Sequence, residues 1–407
     1  MRSRWAVIGF ALLAAVCALL AADMVHKLAN QMAKLDGDLS VYYHSASELT
    51  SGISPYYPGT HYIYPPLFAW LMAPLAQLSP YGYAVVWGLI LGACWIASVL
   101  LIRRLTGERG WLVDLAPSVI LFRCIWNGWG HGQLSLLMTA MVLAFLVLER
   151  ERRMVTATFW LAFAGAVKVF PFYLGVVLLS AENIVWVPVL GAWALALTAL
   201  PAVTVGAGAL RSMIFDGFFG PAMARINGEH ALTVNHAPVP HLFQLLGIES
   251  PLALRIAMLI CLACVTALVL RVPRPKTDRP RDDLWLSFVI ASSLMVCPHV
   301  WMHYCTLLLL PVAAALSHVR RTWPSAHART LAGGLAVATV CLNAGSRLFV
   351  SAHASELTDT YGLPALGLTA IWLSLAFAVA RRTPSPAAAP QPGIGLGDRD
   401  HAQVSLA

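Results

Sequence analysis

The chain has 407 residues, 59% of them hydrophobic and 11% charged, with a mean hydropathy of +0.71. Soluble domains carry about 25% charged residues, so these proportions exclude a water-soluble fold. The net charge of +8 comes from arginines scattered over short segments between apolar runs, a distribution that argues against a nucleic-acid surface.

Apolar runs recur at lengths near the roughly 20 residues that cross a bilayer. Backbone groups in lipid must be satisfied internally, and long Ala/Leu/Val stretches choose helices over a barrel. The expectation is an all-α polytopic membrane protein with about 10–13 transmembrane or re-entrant helices. The first run, Trp5 to about Ala22, follows Arg2 and Arg4. It lacks a clear small-x-small cleavage site and leads into more membrane, so it reads as an uncleaved anchor. Asp36-Gly37-Asp38 comes next, followed by a helical stretch from Leu39 to Leu49 and an aromatic and proline cluster that includes Tyr56, Tyr57, Tyr62 and Tyr64. Leu67 to Leu78 is short for a span and is expected to be re-entrant or interfacial.

Further along, half-length runs meet polar tips. Leu112–Trp126 ends at Asn127-Gly-Trp-Gly-His-Gly-Gln133, and Leu134–Leu148 returns. Val155–Val167 meets Lys168, with Pro171 close behind; Leu284–Val296 meets Cys297-Pro-His-Val-Trp-Met-His303 before Leu307–Leu316 returns. Irregular backbone at membrane depth is tolerated where it lines a cavity or is buried in protein, so these tips predict a cavity reaching into the membrane. Arg103/Arg104/Arg109, Arg150/Arg152/Arg153, Arg271 to Arg281, Arg320/Arg321/Arg329 and Arg381/Arg382 mark cytoplasmic segments by the positive-inside rule. The outer segments are then 26–63, 127–133, a long loop from about 210 to 250, 297–303 and 344–362. Residues 1–382 form one membrane domain, and the Pro/Ala-rich tail 383–407 reads as disordered and cytoplasmic.

Several residues could carry chemistry. Asp38, with Asp36 as a secondary acid, could serve as a general base at the membrane surface; the plainer reading of Asp38 is an N-cap for the Leu39–Leu49 helix. Lys168 sits inside an apolar run, where a charge costs about 2.5–3.5 kcal/mol. It could neutralise a phosphate or snorkel from a helix end. His299 and His303, at i and i+4, lack the Glu and third ligand of a zinc site, which leaves contact with a phosphate or an acceptor, or packing. Gln133, Asn127, His131 and Asn235 are hydrogen-bonding residues at the tips. The tyrosines around Tyr42 and Tyr64 read as an interfacial aromatic belt or as faces on which sugar rings stack. Cys261 and Cys264 have zinc-like spacing without a second pair, and core packing is the better reading. No P-loop or GxGxxG string occurs, so no nucleotide, metal or other cofactor is called for.

In order, Asp38-Leu-Ser-Val-Tyr42, Gly52-x-x-Pro-Tyr56, Tyr64-Pro-Pro-Leu-Phe-Ala-Trp-Leu-Met-Ala-Pro74, Gly132-Gln133-x-x-Leu-Leu137, Ala164-Gly-Ala-Val-Lys168-Val-Phe-Pro171 and Cys297 to His303 resemble the bacterial polyprenyl-phosphate-mannose-dependent α-mannosyltransferases. That family includes the enzymes of phosphatidylinositol mannoside synthesis. The resemblance covers about residues 36–311 and departs from the pattern at Ser135 and at Asn235-His-Ala. It implies the C-type fold of integral-membrane glycosyltransferases and a polyprenyl-phosphate-sugar donor. It also implies a catalytic carboxylate at Asp38, the position that matches the family's acid. The expected activity is inverting transfer of a hexose, mannose by default, to a glycolipid or glycan. The site would lie on the outer face of the bacterial inner membrane. Lys168, His303 and His299 would face the donor phosphate, while Tyr42, Tyr64, Gln133, Asn127 and Asn235 would contact substrate. A transporter or flippase of a lipid-linked sugar is the alternative; it should show inverted repeats, and none is visible.

Overall fold

The computed structural model describes residues 22–34, 37–57, 60–179, 182–224, 236–346 and 350–380. The first apolar run, Asp36, Asn235 and the tail 383–407 lie outside the described residues. Among those described, the chain is helical with no strand, and the all-α polytopic expectation holds.

Five helices are long and apolar enough to cross a membrane: Pro80–Thr106, Ile184–Val205, Pro251–Arg271, Met302–Thr322 and Leu363–Ala380. A sixth is added if Phe122–Gly130 and Ser135–Arg150, bent by 118° at their junction, count as one broken span. Met302–Thr322 is central, with 83% of its apolar stretch buried in protein, whereas Pro251–Arg271 is peripheral at 11%. On that outer helix Cys261 is half-buried and Cys264 exposed, so the core-packing expectation fails for this pair. An apolar surface facing lipid looks the same in sequence as one facing a core.

Proline and glycine explain the half-length pieces. Met154–Val167 stops at Lys168, which is extended. Pro171 has no N–H to continue an α-helix, and the chain runs on as a 3-10 helix over Phe170–Leu178. A Cβ on Gly165 would come within 2.5 Å of the Phe172 ring, so glycine lets this return strand of chain lie against the helix it leaves. Pro66–Met72 is a helix of seven residues. It is tied back by the Ala69 N–H donating to the Tyr62 hydroxyl at 2.8 Å and by the Trp70 indole N–H donating to Thr204 Oγ1, also at 2.8 Å. Leu67–Leu78 is thus a short helix followed by a 3-10 turn over Leu75–Gln77, too short to span.

The helices share two ends. At one, the arginines are paired as well as numerous. Arg274 bridges Glu149 at 2.7 Å and Asp282 at 2.6 Å, and Arg150 bridges Asp282 at 2.6 Å and Asp283 at 2.8 Å. Arg279 donates to the Leu105 carbonyl at 2.7 Å, which caps the end of Pro80–Thr106. Arg320 and Arg321 clasp Glu108. Burial works against the Glu108 charge, yet Ser317 and the two arginines hold its carboxyl below the usual range. Segments that read in sequence as topology markers are thus also a buried ionic clamp joining five helix ends.

The opposite end carries the tips. Within the expected long loop near 210–250, the described residues include a helix over Ala207–Ser212, a π-helical turn over Met213–Ala222 and a further helix over Pro238–Leu245. Residues 344–362, also expected as loop, contain the helix Ala352–Thr360. Charged and polar composition predicts exposure here, but the ends of bundled helices supply packing that sequence alone does not show.

Candidate active site

The site grows from two glycines. Gly37 opens the helix Gly37–Thr50 with φ +79°, a left-handed conformation that side chains disfavour. The helix begins one residue before Asp38, which therefore lies inside the first turn. A carboxylate in the first turn is favoured by the unpaired amides and positive dipole end of the helix. Gly132 has φ +66°, and a Cβ there would stand 2.9 Å from the Leu39 Cβ. Glycine at 132 thus lets the Asn127–Gln133 tip close onto the helix bearing Asp38. The Gly132 carbonyl accepts from the Trp87 indole at 2.7 Å and the Gln133 N–H donates to the Gly128 carbonyl at 2.8 Å, which fixes the turn.

This closure places Gln133 against Asp38. The Gln133 Nε2 donates to Asp38 Oδ2. On its other side, Gln133 Oε1 lies 3.2 Å from the Tyr42 hydroxyl and 3.4 Å from the Tyr64 hydroxyl, which are 2.9 Å from each other. The amide has only one way round that serves both neighbours, since its nitrogen donates to the carboxylate and its oxygen accepts from phenol. Tyr42 and Tyr64 are buried, as are Tyr56 and Tyr62, and their rings meet edge-on or tilted at 4.9–5.8 Å together with Phe68. The aromatic-belt expectation is corrected for these four. They form a packed wall behind the carboxylate, and Tyr57 alone among the cluster's loop tyrosines is exposed.

Lys168 approaches from the second tip. Its ammonium lies 4.0 Å from the centre of the Tyr304 ring, 4.9 Å from Tyr64 and 5.4 Å from Trp301. Rings attract a cation without neutralising it. Lys168 borders an apolar groove of about 290 Å³ walled by Tyr64, Phe170, Phe218, Trp301 and Tyr304, with His299 at its edge. His299 and His303 do not share one helix. Residues 298–301 are not helical and a 3-10 helix starts only at Met302, because Pro298 interrupts the backbone ladder. His299 faces the groove. His303 is buried, with its ring 4.9 Å from Tyr304 and its Cβ 3.2 Å from where a Gly128 Cβ would be. Its Nε2 has no hydrogen-bond partner among the described residues. The Thr139 and Thr306 hydroxyls, 3.0 Å apart, lock the second half of the broken span to this third tip.

Three tips and the first-loop helix therefore converge, as the half-length runs predicted. Asp38, Gln133, Tyr42, Tyr64 and Lys168 form one constellation, with His299 and His303 at its border. Asn127 faces away, into a separate polar pocket. No group of three or more His, Cys, Asp or Glu placed to hold a metal occurs among the described residues.

The profile described as glycosyltransferase family 87 matches residues 62–298, more than half of the chain. The chain belongs to glycosyltransferase family 87. The family 87 span takes in Tyr64, Gln133 and Lys168; Asp38 and Tyr42 precede it, and His299 and His303 follow it. No solved structure matches this chain. Membership makes the protein a glycosyltransferase with a donor and an acceptor, and its apolar helices make it a membrane protein.

Tyr304, Phe170 and Phe218 belong to the groove and are not among the residues singled out from sequence. Aromatic residues in apolar runs carry no signal that separates a groove wall from a core. Arg123 is different. It lies within the run Leu112–Trp126 and carries the signal that marks Lys168, a charge inside an apolar stretch.

Proposed function

We propose that the protein transfers a hexose, mannose first among the candidates, from a polyprenyl phosphate to a glycolipid or glycan hydroxyl. Transfer inverts the anomeric carbon and takes place on the outer face of the bacterial inner membrane. The observation that carries this reading is the Asp38 carboxylate held by Gln133, whose other partner Tyr64 lines an apolar groove together with Lys168. An isoprenoid chain is apolar and its phosphate anionic, and the groove offers both surfaces in sequence.

The acceptor oxygen attacks the anomeric carbon while its proton passes to the Asp38 carboxylate. The bond between the anomeric carbon and the phosphate oxygen breaks, and its electron pair leaves with the polyprenyl phosphate. That leaving group is already a stable anion, so no strong general acid is required. Lys168, held among rings and outside bulk water, would stabilise the charge that develops on the phosphate. His299 at the groove edge would add a hydrogen bond. Gln133 would hold Asp38 within the roughly 2.6–3.2 Å that proton abstraction needs, and Tyr42 and Tyr64 would hold Gln133. Asp36 and Asn235 remain proposed contributors on sequence grounds alone.

Purified protein in lipid vesicles should transfer sugar from a polyprenyl-phosphate hexose with no nucleotide sugar added. Transfer that requires a nucleotide sugar would overturn the donor assignment.

A further inference from the structure

A second cavity, of about 630 Å³, shares no lining residue with the lysine groove. The helix over residues 22–34 and the helix Phe122–Gly130 form two of its walls, and the segment around Gly345 and Asp359 forms the third. Gln31 separates it from the catalytic end. Its Nε2 donates to the Gly130 carbonyl at 3.0 Å, and its Oε1 lies 3.1 Å from where a Gly37 Cβ would be. The cavity thus begins one residue from Asp38 along one chain segment. Along the other, it reaches His131, two residues from Gln133.

Its lining differs from that of the groove. Asn30, Gln31, Asn127, Arg123 and Asp359 present planar polar groups beside the indole of Trp126. Arg123 is nine-tenths buried. Its Nη2 lies 2.9 Å from both carboxylate oxygens of Asp359. Its Nη1 is buried without a hydrogen-bond partner among the described residues. A Cβ on Gly345 would fall 2.6 Å from that Nη1, so glycine is what leaves room beside the guanidinium edge. A buried donor with no acceptor costs about 1–3 kcal/mol, a cost that an oxygen-rich ligand would relieve. Charge selects among such ligands. Asp359 offsets Arg123, and Asp23 lies 3.0 Å from Lys27, whose ammonium stands 4.1 Å over Trp126. A site with its cations already paired suits neutral hydroxyls better than phosphate.

We infer that this cavity is the acceptor subsite and that it takes a neutral glycosyl headgroup, whose hydroxyls bond to Arg123 Nη1 and the Asn/Gln amides. The inference rests on the glycosyl-transfer reading. Donor and acceptor then occupy separate cavities, which share no lining residue.

The test uses the full chain in lipid nanodiscs and an alkyl α-mannoside with a diazirine on the sugar ring. Photolabelling should fall on the 22–34 and 122–130 helices. Excess unlabelled alkyl mannoside should suppress it, and polyprenyl phosphate should not. Arg123→Gln and Asn30→Leu should each raise the acceptor KM about tenfold, the loss of one hydrogen bond, with the donor KM unchanged. Among the described residues Asn30 is bonded to His26 on the exposed face, so its variant keeps the test open if Arg123→Gln fails to fold. Labelling confined to the Lys168 groove, or labelling that does not saturate, overturns the subsite. Labelling needs no turnover, so an active transferase without label in the cavity overturns this inference alone. Saturable label there on a protein inert toward every lipid-linked sugar overturns the transfer reading instead.

Discussion

Replacing Gln133 by Leu tests whether the carboxylate must be held, apart from whether it must exist. Leucine keeps most of the side chain's volume but removes the Nε2 donor to Asp38 and the Oε1 acceptor facing Tyr42 and Tyr64. Hydrogen bonds to a charged group are worth about 1.5–3 kcal/mol. If that energy is lost where Asp38 must be aligned, kcat falls about 10- to 150-fold. The two phenols still have each other at 2.9 Å, so the wall behind the site should stand and the thermal midpoint should move little. The assay is initial-rate transfer at saturating donor and acceptor, alongside donor KM and a melting curve. A large fall in kcat with donor KM within about twofold supports a positioning role. A kcat within twofold of the native value would refute the reasoning, since Asp38 would then be positioned without Gln133. A melting midpoint that collapses together with kcat would show that Gln133 serves the fold instead.

Lys168→Met should raise the donor KM and lower kcat by at least tenfold, because it removes the cation near the leaving phosphate but keeps an apolar stem among the rings; Lys168→Arg should recover part of the loss. Steady-state kinetics with varied donor reads both. At the other end of the molecule, Arg274→Met should destabilise by about 3–5 kcal/mol, the cost of stranding buried carboxylates, here Glu149 and Asp282. Denaturation of the detergent-solubilised protein measures it, and donor KM among the surviving folded molecules should be unchanged.

Much of the architecture is legible in the sequence because lipid imposes strict rules. Run length gives the long spans, and a run that stops short at Asn127, Lys168 or Cys297 announces a tip inside a cavity. What sequence does not show is which face of a helix meets protein. Cys264 and Cys341 both sit in apolar runs, yet one is exposed and the other buried. The tyrosines illustrate the same gap, since a belt and a packed wall have one composition. Asp38, Gln133 and Lys168 stand out in sequence as polar groups where polarity is costly. Their convergence does not, because it depends on two glycines whose roles are steric. Gly132 admits Leu39, and Gly37 supplies a left-handed start to the helix. The separation of His299 from His303 follows from Pro298, which was visible, but a four-residue spacing invites a helix until the backbone is seen.

The central claim is that Asp38 takes the acceptor proton, and Asp38→Asn tests it most directly. Asparagine is nearly isosteric and keeps an oxygen toward the helix amides and Gln133, so fold and donor binding should persist. Rapid-quench single-turnover transfer with donor-loaded protein isolates the chemical step. General base catalysis contributes about 10²- to 10⁴-fold, and the account predicts a loss of that order with the donor Kd unchanged. Transfer at near-native rate in Asp38→Asn would contradict it and return the search for the base to Asp36 and His303.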